Sequence, residues 1–324
     1  MDRGGGEATV PRSDASRTNC PSCFLCDQRM ARDGETRSKY GGIVPKVFCE
    51  KCRLTGVIWS ETAEQREELF DEYTYADEHG MDMPQVTVHS VELLLRTLER
   101  HRPKGVLLDV GCGNGTVIRV GAQRGWQVEG VEISKVAISK LRELGHEVHA
   151  GYLPELKLLS AKYDVVVMSE LIEHLPNPLP YVEDVLRILR PGGVLYLTTP
   201  NYGSLQRRLG GPEQVVFPPD HLWGHSRRSV CRLLAQTGFT RANVWSSGLN
   251  PWFILHTLRS VNRPITLSPA EDTATYNALI TRSNALRSAA QTNPWVSLLR
   301  TTANVCMRLA GTGDTLKALA VKAR

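Results

Sequence analysis

Short, almost unbroken apolar runs alternate along the chain with stretches whose apolar residues recur every three or four positions. Val106, Leu107 and Leu108 form one such run and predict a buried strand; Asp109, Gly111, Gly113 and Gly115 follow at alternate positions, and Val117 and Ile118 open a helix over 115–124. Trp126 to Glu132 reads as a second strand, Ser134 as the cap of a helix over 135–144, and Glu147 to Gly151 as a third strand. Tyr163 to Ser169 is nearly continuous in apolar residues, as suits a central parallel strand covered on both faces. A helix over 179–190 ends at Arg190-Pro-Gly-Gly193, which predicts a sharp turn into a fifth strand, Val194 to Thr199. A helix over 227–237 and a sixth strand, Ala242 to Ser246, complete the alternation. Ahead of it, Val88, Val91, Leu94, Leu95 and Leu98 keep helical spacing, predicting a helix that packs on the sheet and stops before Pro103. Strands alternating with helices in this way predict an α/β protein with a mainly parallel sheet.

A strand, a glycine turn and a helix start together make a ligand site at the carboxyl edge of such a sheet. Glycines lack Cβ, so the backbone bends sharply and a ligand can lie against it. Thr116 stands where a nicotinamide fingerprint has its third glycine, which argues against that cofactor. The stretch 105–116 resembles the SAM-binding motif of class I methyltransferases. The resemblance implies a Rossmann-like seven-stranded sheet and S-adenosyl-L-methionine (SAM) as cofactor. Asp109, Gly111, Gly113 and Gly115 would hold its cationic methionine end. Glu132 lies about 20 residues past the glycines, where an acid takes both ribose hydroxyls, with Ile133 beside it. Tyr152 and Leu153 fall at the turn where class I enzymes contact adenine.

After the fourth strand, Glu170-Leu-Ile-Glu173-His174 resembles the large methyltransferase family that includes ubiquinone-pathway and antibiotic-pathway enzymes. That likeness places Glu170 near the cofactor and leaves His174 as a proton acceptor or a loop-ordering residue. The loop Asp220-His221-Leu-Trp-Gly-His225 precedes the helix at 227, where the family often carries a histidine, and His221 is the leading base candidate. No Asn-Pro-Pro-Tyr or Asp-Pro-Pro-Tyr motif occurs, which argues against amino-adenine methylation. Gly313 to Val321 resembles the family's last, antiparallel strand. Residues 250–311, with Leu279, Ile280, Leu286, Val296, Leu298 and Leu299 at helical spacings, then become a helical insertion rising over the crevice as a lid, with 312–324 returning to the core.

Composition adds a second module. Of eight cysteines, five lie within residues 20–52. Two C-x-x-C knuckles at this separation place four thiolates around Zn²⁺, and so short a segment would draw its folding energy from the metal. Cys23, Cys49 and Cys52 serve either way; the fourth ligand is Cys26 or Cys20. Cys26 is preferred, because Cys23-x-x-Cys26 followed by Cys49-Glu-Lys-Cys52 resembles the N-terminal zinc module of a bacterial methyltransferase group. The expected organisation is a disordered tail over 1–18, a zinc ribbon over 19–60, an acidic linker helix over 61–83 and a core over 84–249. Net charge is +5, without a clustered basic stripe, which disfavours nucleic acid as substrate; no apolar run reaches spanning length and no signal peptide is evident, so a cytoplasmic protein is expected. The expected acceptor is a small molecule or sugar, free or carrier-linked, methylated on oxygen or carbon. Ribosomal RNA methylation and a non-catalytic SAM-binding scaffold are the alternatives.

Overall fold

The computed structural model describes residues 20–37, 43–58, 81–210, 221–248, 281–282, 285, 288–289 and 293–324. The predicted tail, most of the linker helix, and Leu279, Ile280 and Leu286 of the predicted insertion lie outside them. The strands are β1 (Ala31–Arg37), β2 (Ile43–Cys49), β3 (Leu54–Val57), β4 (Val106–Val110), β5 (Gln127–Glu132), β6 (Glu147–Ala150), β7 (Tyr163–Ser169), β8 (Leu189–Pro200), β9 (Trp223–Gly224), β10 (Arg241–Ser247) and β11 (Thr315–Val321). The helices are α1 (Gln85–His101), α2 (Thr116–Gln123), α3 (Lys135–Glu143), α4 (Leu179–Ile188), α5 (Leu205–Gly210), α6 (Arg227–Gln236) and α7 (Pro294–Ala310).

Seven strands form the central sheet in the order β10-β11-β8-β7-β4-β5-β6. Only β11 runs antiparallel, paired from Thr315 opposite Pro200 to Val321 opposite Val194. The apolar runs are explained by burial on both faces. Leu107, Val165 and Val167 join Val91, Leu95 and Leu98 of α1 on one side. Their strand neighbours Leu108, Val166 and Met168 join Val182, Val185 and Ile188 of α4 and Val230, Leu233 and Leu234 of α6 on the other. Strand order reverses between β4 and β7, so a crevice opens outside their carboxyl ends. Ser134 caps α3 as expected, its hydroxyl accepting from the Ala137 N–H at 3.2 Å.

One expectation needs correction. The fifth strand does not wait for Val194 but starts at Leu189, directly after α4. Leu189 pairs with Tyr163 and Val194 with Val165, and the register shifts between them. The Arg190-Pro-Gly-Gly193 segment therefore bulges out within a strand, with Gly192 left-handed at φ 72°. The buried carboxylate of Asp164 anchors this bulge. It receives Arg190 Nη1 at 2.6 Å, Arg102 Nη2 at 3.0 Å and the Val106 N–H at 3.0 Å, tying three chain segments together.

A second sheet, β1-β2-β3-β9, carries the cysteine knuckles. Its fourth strand comes not from the N-terminal segment but from the loop that precedes α6. The apolar core is continuous across this join: Cys23, Leu25, Val47 and Leu54 belong to the same buried cluster as Val166 and Leu233.

Candidate functional site

The glycine loop is shaped by backbone angles that side chains disfavour. Gly111 and Gly115 sit at φ 72°, and a Cβ on Gly111 would come within 2.9 Å of Leu171 Cδ1 while one on Gly115 would run into Leu141. Asn114 closes the turn, its Oδ1 accepting from Thr116 Oγ1 at 2.8 Å and from the Thr116 N–H at 3.2 Å. Asp109, at the end of β4, is 3% exposed. Burial raises its pKa to about 7, and the charge of Glu132 adds to the rise.

Glu132, at the end of β5, draws the loop toward it. Its Oε2 accepts from the Gly113 N–H at 2.8 Å; its Oε1 accepts from the Ile133 and Ser134 N–H groups at 2.8 and 2.9 Å. The Gly151 N–H in turn donates to the Glu132 carbonyl at 2.9 Å, which brings the start of the next turn alongside. There Tyr152 is half-buried and Leu153 fully buried. Asp109, the glycines, Glu132, Ile133, Tyr152 and Leu153 thus line one edge of the sheet.

Past the end of β7, Glu170 adopts a left-handed φ of 49°, held because its N–H donates to the carbonyl and hydroxyl of Thr198 at 3.0 and 3.2 Å. A non-glycine residue in this region costs about 1 kcal/mol or more, and such strain gathers at functional turns. Its side chain is exposed to solvent, while Glu173, one turn on, is fully buried. Thr199 Oγ1 donates to Glu173 Oε2 at 2.9 Å, and Glu173 Oε1 lies 4.0 Å from both His174 Nε2 and His221 Nε2. The two imidazoles meet edge to face with centroids 4.6 Å apart. His174 and His221, 47 positions apart in sequence, therefore share one carboxylate.

Sequence reasoning did not assign Glu173 a role, although it lies in the Glu-x-x-Glu-His pattern; its signal was an acid inside an otherwise apolar turn, and its partner lies on a distant loop. His225, also unassigned, is fully buried, and burial lowers its pKa to about 4. Its carbonyl accepts from the Tyr202 N–H at 2.8 Å and its Nδ1 lies 3.3 Å from Ser229 Oγ, so it orders the loop as a neutral ring. The carboxylate–imidazole cluster can accept a proton, and its three ligating atoms lie within 4.8 Å of one another, close enough to share one divalent cation.

At the other sheet the Cys23, Cys26, Cys49 and Cys52 sulfurs lie within 4.8 Å of one another, with Cys26 Sγ 3.5 Å from Cys49 Sγ. Cys20 stands outside this group. Burial and the neighbouring sulfurs push the Cys23 thiol upward and Cys52 to about 12, whereas the Gln28 N–H and the adjoining cysteines lower Cys26 against the effect of burial. Four sulfurs packed this closely are the donor set that suits a tetrahedral Zn²⁺, whose charge would offset the repulsion between thiolates.

Comparison with known proteins agrees with the geometry. Residues 85–244 match a family profile described as a methyltransferase domain. The ubiquinone biosynthesis O-methyltransferase of Leptothrix cholodnii is 33% identical over 109 residues, covering 29% of this chain and 44% of that protein. The enzyme of the same name from Xanthomonas campestris pv. campestris is 30% identical over 132 residues, covering 39% of this chain and 55% of its own. This chain thus spans about half the length of the curated relatives it matches. A solved SAM-dependent methyltransferase from Archaeoglobus fulgidus aligns with TM-score 0.48 at 17% identity, over 79% of this chain and 99% of that one. Residues 85–244 are thus a methyltransferase domain, and the β10-β11-β8-β7-β4-β5-β6 sheet with its one reversed strand and the glycine loop at its switch point have the arrangement expected of a class I SAM-dependent methyltransferase.

Proposed function

We propose that this protein transfers a methyl group from SAM to a hydroxyl of a small-molecule or sugar acceptor. The observation that carries the reading is the Glu173–His174–His221 cluster at the same sheet edge as the glycine loop. When bound, SAM supplies an already activated methyl group, so the chain's task is alignment and proton removal. Asp109 and the glycine loop would receive the ammonium and carboxylate of its methionine half. Glu132 would accept from its ribose hydroxyls, and the half-buried Tyr152, with Leu153 buried beneath the turn, would lie beside its adenine. His221, oriented by Glu173, takes the proton from the acceptor hydroxyl as its oxygen becomes nucleophilic; His174 packs against the imidazole and fixes its plane. The names of the similar O-methyltransferases support oxygen as the acceptor atom.

Two further elements belong to this reading. Cys23, Cys26, Cys49 and Cys52 hold one Zn²⁺. The described end of the insertion, α7, would stand beside the crevice: Asn201, just past β8, donates to the carbonyls of Gly311 and Gly313 at 3.2 and 2.7 Å, which fixes the end of α7 at the carboxyl edge.

Titration calorimetry on cofactor-stripped protein is expected to show one site for SAM and one for S-adenosylhomocysteine, and a panel of phenols and sugars should release S-adenosylhomocysteine with at least one hydroxyl acceptor. Absence of heat with either nucleotide would sink the reading. The raised pKa of Asp109 gives a signed pH dependence. Above about pH 8 the carboxyl is ionised and affinity is flat; below about pH 7 the empty site holds a proton that the cationic ligand must expel, so affinity should fall by up to tenfold per unit. Asp109→Asn should bind weakly and with no such slope.

A further inference from the structure

The cysteine module and the histidine loop are joined by a single stretch of backbone. Leu222 accepts from the Val57 N–H at 3.1 Å on one side, and its own N–H donates to the Glu173 carbonyl at 2.8 Å on the other. Gly56 pairs with Trp223, and Thr55 with Gly224, so β9 completes the module's sheet. The Trp223 N–H also reaches the Glu173 carbonyl, at 3.1 Å, and its indole Nε1 donates to the Leu175 carbonyl at 2.8 Å. Its ring packs edge to face on Phe24 at 4.9 Å, between Cys23 and the buried Leu25. From the far side, Arg232 Nε of α6 donates to the Leu25 carbonyl at 3.1 Å.

Extended backbone in a loop stays in place only where its polar groups are paired. Here the pairing partners of the residues next to His221 come from two sources: the turn that carries Glu173 and His174, and a ribbon too small to hold its shape without a cross-link. We propose that the zinc module is the positioning scaffold of the histidine loop. Through β9 and the Trp223 ring, metal binding at the four cysteines sets the place of His221 against Glu173 and His174. The proposal rests on the assignment of zinc and of the His221 role made above. It gives the module a function within the methyl-transfer site itself, rather than in binding a separate partner.

Gly56 offers a clean way to part the two without touching a cysteine or a histidine. A Cβ there would lie 2.6 Å from Cζ3 and 2.9 Å from Cε3 of Trp223. Gly56→Ala should therefore push β9 off β3. The expected result has three parts: one Zn²⁺ per chain by native mass spectrometry, SAM affinity within twofold of the unaltered protein, and amide exchange over residues 221–226 at least tenfold faster. With any acceptor that is turned over, kcat should drop about tenfold while the KM for SAM stays constant. The double change Gly56→Ala with Trp223→Leu, which clears the clash, should recover part of the protection. Should Gly56→Ala fail to fold, stripping zinc from the unaltered protein with a chelator reads the same link, and exchange over 221–226 should accelerate alike. Exchange that stays slow in the metal-free protein, or a chain that carries no zinc and yet protects 221–226, overturns the proposal. Because exchange is read without an acceptor, a catalytically silent protein would count against methyl transfer and leave this link standing or falling on its own.

Discussion

His221→Ala is expected to lower kcat for a hydroxyl acceptor by roughly 10²–10⁴, the range over which a positioned base contributes. Affinity for SAM should remain within twofold, because Asp109, the glycines, Glu132 and Tyr152 sit at the carboxyl ends of β4, β5 and β6 and Glu170 just past β7, whereas His221 lies on a separate loop before α6. The separation is what makes the experiment decisive: a fall in both quantities would mean that the loop, and not a base, was lost. Glu173→Gln is the companion variant. Its carboxylate lies 4.0 Å from both imidazoles and is fully buried, and the amide keeps the size of the side chain and an oxygen for the Thr199 hydroxyl while removing the charge. If the carboxylate orients and supports an imidazolium, Glu173→Gln should cost a large share of what His221→Ala costs, and the two changes together little more than His221→Ala alone, since residues acting as one unit are not additive. Equal rates for His221→Ala and the unaltered enzyme would remove the base from the mechanism.

The strands that position this site were legible because parallel strands covered on both faces must be apolar at nearly every position. Val106 to Leu108 and Tyr163 to Ser169 could hardly be read otherwise. Caps and turns were legible for a local reason: Ser134 bonds the Ala137 N–H three positions on, and the glycines of the Gly111–Gly115 turn fall in one short stretch, although Glu132, 19 positions past Gly113, completes it. Effects that depend on distant partners were not. The early start of β8 at Leu189 is imposed by Tyr163 and by the Asp164 carboxylate pulling on Arg102 and Arg190, and of these only Arg190 belongs to the Arg-Pro-Gly-Gly pattern itself. Strand β9 has two residues, too few for any period, and its partner β3 lies 167 positions earlier, counting from Gly56 to Trp223. Glu173 was visible as a residue and invisible as a hub, because a buried acid declares its role only through what surrounds it.

Glu132→Ala is expected to have the largest effect on the empty protein and on SAM binding alike. The carboxylate, 5% exposed, accepts from three backbone N–H groups at 2.8–2.9 Å, and its removal strands all three. Each unsatisfied donor costs about 1–3 kcal/mol, less where water enters the crevice, so a loss of roughly 3 kcal/mol in stability is expected by denaturant titration. Affinity for SAM should fall at least 100-fold, as the ribose loses a charged acceptor and Gly113 loses the bond that shapes the cradle. Glu132→Gln is no mild substitute here, because its amide group must face either the Gly113 N–H or those of Ile133 and Ser134. It does separate two effects. Glu132's charge contributes to the raised pKa of Asp109, second to burial, so removing the charge while keeping the bulk should lower that pKa. The pH at which SAM affinity begins to weaken should therefore move to a lower value in Glu132→Gln even as affinity drops overall. A variant that binds weakly with the onset unmoved would show that the two carboxylates do not sense each other, and would take Asp109 out of the role assigned to it.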